Sequence, residues 1–485
     1  MTTPQTIMTH KGEFDVLDIP LDDEKTLDLL RNGHTSGVFQ LESDGMKQLL
    51  RQLQPKSFKK IIDVLALYRP APLSIKGDDG LTMVERYIKV EHGEIEPEYI
   101  HEDLRPILEK TNGQLLYQEQ MMQISRKFGG FSQGRADTLR KAMGKKKEDL
   151  MAELKDEFIE GCTDQYNADL AKELWQWIEK GAGYLFNKSH SADYGLISWQ
   201  TAYLKAHEPI KFMASIMSSE LQDESHSDKG KSKKKTKSKK LEKIAFYVDE
   251  AKQQGIEVKP PLINQSQHRF VEDDGRIIFS LNAIKGVGSP AIAQVIENKP
   301  YANFDDFLDC NVFKGSEVKK GAIVGLIKAG AFDETDPDRV DLLKKYMETR
   351  PKKEREPEKH PVSFDDEINP NSTMLRWEKE VTGLYMSGHP LDKYSFIPFD
   401  DVRTGYKATI GGELSKVKQI RTKKGKDMAF LDIDTPEGKR DCVLFPHQFN
   451  KYKGKLTEGE MVIIEGEKEE RNGEFQVIVD KIQKV

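Results

Sequence analysis

From Leu21 to about Leu221 the apolar positions recur every three or four residues, the period of helices that bury one face. Leu21 to Leu30 reads as an acidic amphipathic segment. Ile61, Ile62, Leu65 and Tyr68 share one stripe, and Leu170, Leu174 and Trp177 share another. The run Tyr68-Arg69-Pro70-Ala71-Pro72 has to leave the helix, because each proline restricts the residue before it. An exposed ring followed by a guanidinium suits either a packed turn or a nucleotide contact. From about Thr404 the period changes to two. Ala429, Leu431 and Ile433 alternate with polar residues ahead of Pro436-Glu437-Gly438. Short apolar runs follow at Cys442 to Phe445, Met461 to Ile464 and Phe475 to Val479, each bounded by a turn signal.

Short strands and glycine-bearing turns within residues 404–485 suit a small OB-type barrel. The expected fold is therefore multidomain, mostly α-helical and closed by a small all-β barrel. Between the two regimes, Asp228 to Lys243 is nearly all Lys, Ser and Thr, with eight lysines between Lys229 and Lys240. Such a segment has no core to bury and is expected to be disordered, serving as a DNA-backbone contact or a surface tether. A helix follows, then Pro260-Pro261 and a short hairpin around Asp273-Asp274-Gly275. Residues 346–370 are charged and proline-broken, the pattern of a linker.

A length of 485 residues suggests two to four domains, each with a sizeable core. With 32% charged residues and a mean hydropathy of −0.65, the chain is polar. It has no run of apolar residues long enough for a membrane span and no apolar signal core, so a cytoplasmic, non-membrane protein is expected. Cys162, Cys310 and Cys442 are isolated, which fits a reducing compartment and argues against a zinc site or a disulfide framework. A net charge of −6 does not suggest a nucleic-acid binder, so any DNA-binding cations must be clustered locally.

Two basic runs supply such clusters. Gly134 to Lys147 places Leu139, Ala142 and Met143 on a buried stripe at helical spacing, with Arg140, Gly144 and Lys147 on another face and Lys141 and Lys145 beside them. Gly181 to Ser191 is a glycine-bearing loop ending in Ser189 and Ser191, both suitable N-caps. The helix it opens has Ala192, Leu196, Trp199 and Tyr203 on its apolar face. Free N–H groups at that start, beside Lys188 and His190, suit an anion. A solvated basic face explains the same spacing, and both readings stand at this level.

Leu281 to Ala293 has the form of a helix-hairpin-helix, an apolar helix end, a turn at Gly286-Val287-Gly288 preceded by Lys285, and a new helix whose first amides suit a DNA phosphate. Leu326 to Asp333 suggests a second half. In the barrel region Lys416, Lys418, Arg421, Lys423, Lys424 and Lys426 cluster around the first hairpin, a face for a single strand or merely a solubilising one.

The ordered motifs Val38-Phe39-Gln40-Leu41-Glu42-Ser43, Ala66-Leu67-Tyr68-Arg69-Pro70, Tyr117-Gln118-Glu119-Gln120, the two basic runs, and Leu384-Tyr385-Met386-Ser387-Gly388-His389-Pro390-Leu391 carry a resemblance. The chain is similar, from about residue 18 onward, to the alpha subunit of bacterial DNA polymerase III, the C-family replicative polymerase. One departure is Ala71, where that family usually has glycine. The resemblance implies a fingers domain at 1–222, a Lys-rich insert at 223–243, a helix-hairpin-helix domain at 244–345, a connecting segment at 346–403 and an OB domain at 404–485.

The resemblance also implies roles. Arg140, Lys141, Lys145, Lys188 and His190 would neutralise the triphosphate of an incoming dNTP, with Arg135 and Tyr68 in support. Gly286, Val287, Gly288 and Lys285 would grip duplex primer-template, and Lys423, Lys424 and Lys426 a single strand. His360 to Phe364 lies where the family often carries a sliding-clamp motif, with His360 replacing Gln, Ser363 the apolar residue, and Phe364 the closing aromatic. The acid pairs Asp78-Asp79, Asp273-Asp274, Asp305-Asp306 and Asp365-Asp366 match no catalytic motif, so no metal ligand is assigned. Mg²⁺ would be bound by a palm that these residues lack, on another chain, and the isolated chain is expected to be inactive. Sliding clamp and other replisome subunits are further implied partners. The competing reading is a non-catalytic DNA-binding tether that keeps the fingers as scaffold.

Overall fold

The first half of the chain is helical, opening with α1 (Glu24–Arg31), α2 (Asp44–Leu53), α3 (Phe58–Leu67), α4 (Pro70–Ser74), α5 (Met83–Glu91) and α6 (Arg105–Leu108). There follow α7 (Gln118–Gly129), α8 (Gln133–Lys145), α9 (Glu148–Gln165), α10 (Ala168–Gly181), α11 (Lys188–His207) and α12 (Pro209–Glu220). The computed structural model describes residues 6–9, 12–77, 79–145, 148–221, 233–349, 370–422, 424–435, 438–471 and 474–485. Asp23, Ser43 and Asn167 accept first-turn amides of α1, α2 and α10, and Thr82 and Glu85 form a reciprocal capping box on α5. Two compact units result, one of Met1–His226, Phe246–Val258 and Phe270–Ile277, the other of Ser227–Ala245, Lys259–Arg269 and Ile278–Val485.

In the first unit one apolar cluster gathers Leu27, Leu50, Ile61, Val64 and Trp199, and another gathers Ile124, Phe128, Leu139, Phe158 and Trp175. Leu139, Ala142 and Met143 are buried, as the spacing requires. The face expected for α11 needs correction. Of Ala192, Leu196, Trp199 and Tyr203 only Trp199 is fully buried, and the buried stripe runs through Ser191, Gly195, Ser198, Trp199 and Ala202. The reason is close packing on α3, since a Cβ at Gly195 would lie 3.2 Å from Ile62. Small residues occupy that face because interhelical distance is set by the side chains at the contact.

The Lys-rich segment also differs from expectation. Residues 222–232 lie outside the described residues, but α13 (Lys233–Gln253) begins inside the lysine run and continues unbroken. Buried Ile244, Val248 and Ala251 give this helix its nucleus, and lysine propagates a helix well once one exists. Strands β1 (Thr6–Thr9) and β2 (Gly12–Asp15) pair antiparallel, and β3 (Val258–Lys259) precedes a hairpin of β4 (Val271–Asp273) and β5 (Arg276–Ile278). That hairpin turns at Asp274 and Gly275, both with positive φ, as an Asp-Gly turn should.

The second unit contains α14 (Ser289–Glu297), α15 (Phe304–Asn311), α16 (Lys320–Lys328), α17 (Arg339–Glu348) and α18 (Pro370–Thr382). Their core includes Ile284, Val287, Ile292, Leu326 and Trp377, with Phe304 and Phe307 each meeting Phe332 edge-on at 4.9 Å. The same unit ends in a closed barrel of β6 (Lys407–Arg421), β7 (Asp427–Thr435), β8 (Gly438–Leu444), β9 (Met461–Arg471) and β10 (Glu474–Lys484), with α19 (Pro446–Tyr452) between β8 and β9. Strands β6, β7 and β8 form an antiparallel meander. β9 returns to β6, and β10 closes the barrel by pairing with β9 and, in parallel, with β8. Ala429, Leu431 and Ile433 all point inward, as their alternation predicts.

One buried carboxylate ties the helical part of this unit together. Glu378 of α18 is fully buried and accepts from Arg339 at 2.8 Å, from the amides of Met386 and Ser387 at 2.6 and 3.0 Å, and from the Ser387 hydroxyl at 2.6 Å. Arg339 in turn reaches Asp333 at 2.5 Å. Part of the Leu384 to Leu391 signature is therefore held as structure, the Met386 and Ser387 amides both bound by Glu378. Glu378→Ala leaves one edge of the buried guanidinium and three donors unmatched, with Asp333 still on its other edge. It should destabilise this unit by about 3–5 kcal/mol in denaturant unfolding and speed amide exchange at Met386 and Ser387. A cost under about 1 kcal/mol, the level of an exposed pair, would show that another contact holds the signature.

Candidate nucleotide and nucleic-acid interface

The loop before α11 is fixed by backbone pairing. Phe186 N–H donates to Leu116 O and Gln118 N–H to Phe186 O, so the loop lies along the entry to α7. The cap of α11 is Asn187, whose side chain accepts from His190 N–H, and neither Ser189 nor Ser191 as expected from sequence. Ser191 Oγ instead donates to Ile62 O at 2.6 Å, because its position on the buried stripe turns it toward α3. The helix start already has an anion. The Glu119 carboxylate accepts from Lys188 N–H at 3.0 Å and from the Asn187 amide at 3.1 Å, a favourable charge at the positive end of a helix.

Beneath this junction Asp63 is buried and accepts from the Tyr87 hydroxyl at 2.6 Å and the Tyr117 hydroxyl at 2.5 Å. Burial pushes its carboxyl up, opposed by those two donors and by the charges of Lys60 and Lys188. Burial and the neighbouring carboxylate push both phenols up as well, so they remain donors. The Lys188 ammonium sits 5.4 Å from the Tyr117 ring centre, which places a cation over an already braced aromatic.

The α8 cations are largely paired. Arg140 and Lys141 share Asp137, at 2.8 and 2.7 Å, and that shared charge holds the Asp137 carboxyl below its usual range. Lys145 is exposed on the last turn, while Lys147 lies outside the described residues. Arg135 spends its donors on Glu153 and Glu157 of α9, at 2.5 and 2.6 Å.

A cleft of about 790 Å³ opens in the same unit, and it brings together Tyr68 and His190 but none of the α8 cations. Phe39, Gln40, Glu42 and Arg69 also line it. Tyr68 is half-buried, and its hydroxyl lies so close to Gly45 that a Cβ there would fall 2.1 Å from it. The floor under Gly37 to Ser43 is a polar cluster. Lys205, fully buried, donates to Ser36 O at 2.8 Å, while Ser36 Oγ accepts from Lys47 and donates to Glu250.

In the second unit, Gly286 has φ +88°, and a Cβ there would lie 2.6 Å from the carbonyl of Gly321 in α16. Val287 is buried beneath the turn, Lys285 and Gly288 are exposed, and α14 opens at Gly288 without a side-chain cap. On the barrel Lys416, Lys418, Arg421, Lys424 and Lys426 are all exposed along the β6–β7 arm, whereas Glu465, Glu467, Glu469 and Glu470 are exposed along β9. Lys423, His360 and Phe364 lie outside the described residues.

No group of three or more His, Cys, Asp or Glu able to hold a metal occurs among the described residues. Asp79 pairs with Arg86, Asp305 pairs with Lys345, and Asp306 accepts from Ala302 N–H. With these partners the carboxylates do not fit a Mg²⁺ pair. Among the described residues no helix is long and apolar enough to cross a membrane.

Comparison with known proteins shows what the chain is similar to. Residues 1–166 match the finger domain of the bacterial DNA polymerase III alpha subunit, 255–342 a helix-hairpin-helix motif, and 408–485 an OB-fold nucleic acid binding domain. The chain matches the C-terminal part of the DNA polymerase III alpha subunit. It is 40% identical to DNA polymerase III subunit alpha of Aquifex aeolicus over 94% of this chain and 38% of that protein. Identity to the Bacillus subtilis protein is 34%, over 99% of this chain and 43% of the relative. For Escherichia coli K12 it is 35%, over 94% and 40%. The chain thus spans about two-fifths of the length of these relatives.

Within the region matched to the finger domain, sequence reasoning missed Glu119 and Asp63. Glu119 sits inside the quoted Tyr117 to Gln120 motif, but its target lies 69 residues away. Asp63 carries a fainter signal, one acid inside an otherwise apolar stripe.

Burial pushes the Lys205 ammonium down to about 8, from an ordinary value of 10.5. Its folded value lies below the unfolded one, so the charged form opposes folding at neutral pH. That penalty is complete below about pH 8 and is relieved as pH rises from there toward 10.5. The stability of the native chain relative to Lys205→Met should therefore increase by roughly 1–3 kcal/mol over that window in urea unfolding. A flat difference would place the ammonium in water.

Proposed function

We propose that this chain acts as the fingers and DNA-gripping portion of a template-directed DNA polymerase, with the catalytic palm supplied by another chain. The observation that carries the reading is the ordered succession of finger, helix-hairpin-helix and OB regions along one chain. Arg140, Lys141 and Lys145, with Lys188 and His190, neutralise the triphosphate of the incoming dNTP, and Arg135 and Tyr68 support them. A triphosphate carries more charge than Asp137, so it draws Arg140 and Lys141 from the carboxylate they share. The uncapped start of α14 meets a duplex phosphate, with Lys285 beside it. The exposed cations of the β6–β7 arm, Lys424 and Lys426 among them, follow a single strand. Mg²⁺ belongs to the supplied palm, and a sliding clamp engages through His360 to Phe364.

Binding of the purified chain to primed DNA should fall steeply with salt, with a slope near −0.9 per phosphate contacted. Gly286 is a poor place to test the hairpin, because any side chain there strikes Gly321. Lys285→Glu is cleaner. It should weaken duplex binding several-fold and lower the salt slope by about 1, while a Lys424→Glu, Lys426→Glu pair acts mainly on single strands. Equal losses on both ligands from both changes would overturn this division. Salt-independent binding would overturn the reading itself.

A further inference from the structure

An unbroken run of contacts joins the hairpin of the second unit to its barrel. It begins at the hairpin, where Lys285 N–H donates to Val381 O of α18 at 2.8 Å. The same helix is tied to α16, because Lys328 reaches Glu380 at 2.7 Å and stands 5.9 Å from the Trp377 ring centre. One turn back along α18, Glu378 holds the amides of Met386 and Ser387. The chain then closes on itself, with His389 N–H donating to Asp392 at 2.6 Å and Tyr394 N–H to Leu391 O at 2.8 Å. Leu391 is buried, and together with Phe396 it packs over Gly411 of β6. A Cβ at Gly411 would lie 2.6 Å from Phe396 and 2.9 Å from Leu391. Lys379 of α18 also meets that strand directly, pairing with Glu413 at 3.1 Å. Phe399 completes the run inside the barrel core, its carbonyl accepting from the buried Lys468 at 2.9 Å.

Left free, residues 383–398 would be a coil of roughly 20–24 Å mean span, pointing in any direction. Pinned to α18 at one end and to β6 at the other, they instead fix where the barrel stands. Anchoring β6 at Gly411 and Glu413 also aims its cations, since Lys416, Lys418 and Arg421 follow on the same strand within about 26 Å of Glu413. We propose that α18 and the Leu384 to Leu391 signature form a splint, holding the hairpin and the β6–β7 arm at one offset so that the chain selects a duplex-to-single-strand junction of matching reach. The inference rests on the polymerase reading above and adds a selectivity that neither DNA contact has alone. Phosphate contacts at the hairpin and a cationic strand at the barrel each accept any sequence. Joined rigidly, they reinforce one another only on DNA whose shape spans their separation. An overhang too short to reach the arm gains nothing, and one just long enough gains the whole second contact. A loose tether would replace that step with a gradual rise. Glu378, Leu391 and Phe396 are thus positioning residues, acting through the barrel.

The test uses the full chain with labelled blunt duplex, labelled single strand, and duplexes whose template overhang grows one nucleotide at a time. For the native chain, affinity should step up about tenfold or more across a narrow range of overhang length. A flexible Gly-Ser insert after the exposed Ser395 should leave blunt-duplex and single-strand affinities within about twofold and turn the step into a gradual rise. Leu391→Ala with Phe396→Ala, which frees the segment from β6 without lengthening it, should act alike and serves if the insert harms either component affinity. Geometry is read from spin labels on the exposed native Cys310 and on Lys407→Cys, the other two cysteines being buried. Their distance distribution should be narrow in the otherwise native chain and broad with the insert. A broad distribution without the insert would overturn the splint and spare the polymerase reading. So would a gradual rise in the native chain with both component affinities intact, or a step that survives the insert. Failure of the native chain to bind any of these DNAs would overturn both.

Discussion

The first unit is built around a charge it has to hide. Asp63 sits in the middle of an apolar stripe on α3, and its carboxylate is tolerable there only because two phenols, from α5 and from the entry to α7, donate to it. Those hydrogen bonds fix more than Asp63. Tyr117 is the residue whose neighbours pair with Phe186, so the same contact sets the loop that starts α11. Lys188 then stands over the Tyr117 ring, and Lys60 extends the network to Tyr87, Asn112 and Glu91. The position of the helix that carries Lys188, His190 and Tyr194 is thus inherited from one desolvated acid.

The second unit uses the same device with other partners. Glu378 hides its charge with a guanidinium and a turn of backbone, and Arg339 spreads it to Asp333. Both networks show why fully satisfied polar groups are costly to disturb piecemeal, since removing one member strands the rest in a low dielectric. They also explain a feature of the sequence. Met386 and Ser387, part of a motif that carries the family resemblance, cover a buried ion pair.

Much of the architecture was legible because it follows from periodicity and turn chemistry. The alternation of Ala429, Leu431 and Ile433 announces a barrel, Asp274-Gly275 announces a hairpin, and the spacing of Leu139, Ala142 and Met143 locates the inner face of α8. The candidate site was legible only residue by residue. Tyr68 and His190 do share a cleft, but the cations of α8 are not in its lining, and nothing local in the sequence separates those two groups. The cap of α11 was misread because three polar residues within five positions can all cap a helix. Which one does so depends on how closely α3 approaches, and that distance is set by Gly195. Glu119 escaped because its role exists only after the chain has folded back across dozens of residues.

The glycine-to-glycine contact between Gly286 and Gly321 has a thermodynamic meaning. The hairpin rests against the backbone of a core helix with no room for a side chain between them, and Val287 is anchored in the core below. Its amides are therefore ordered when the domain folds, and little conformational entropy remains to be lost when a phosphate arrives. Association at such a surface needs no induced fit. Under the proposed duplex contact, binding would be governed by long-range attraction and by the release of counterions, so a grip of this kind would form and dissolve quickly.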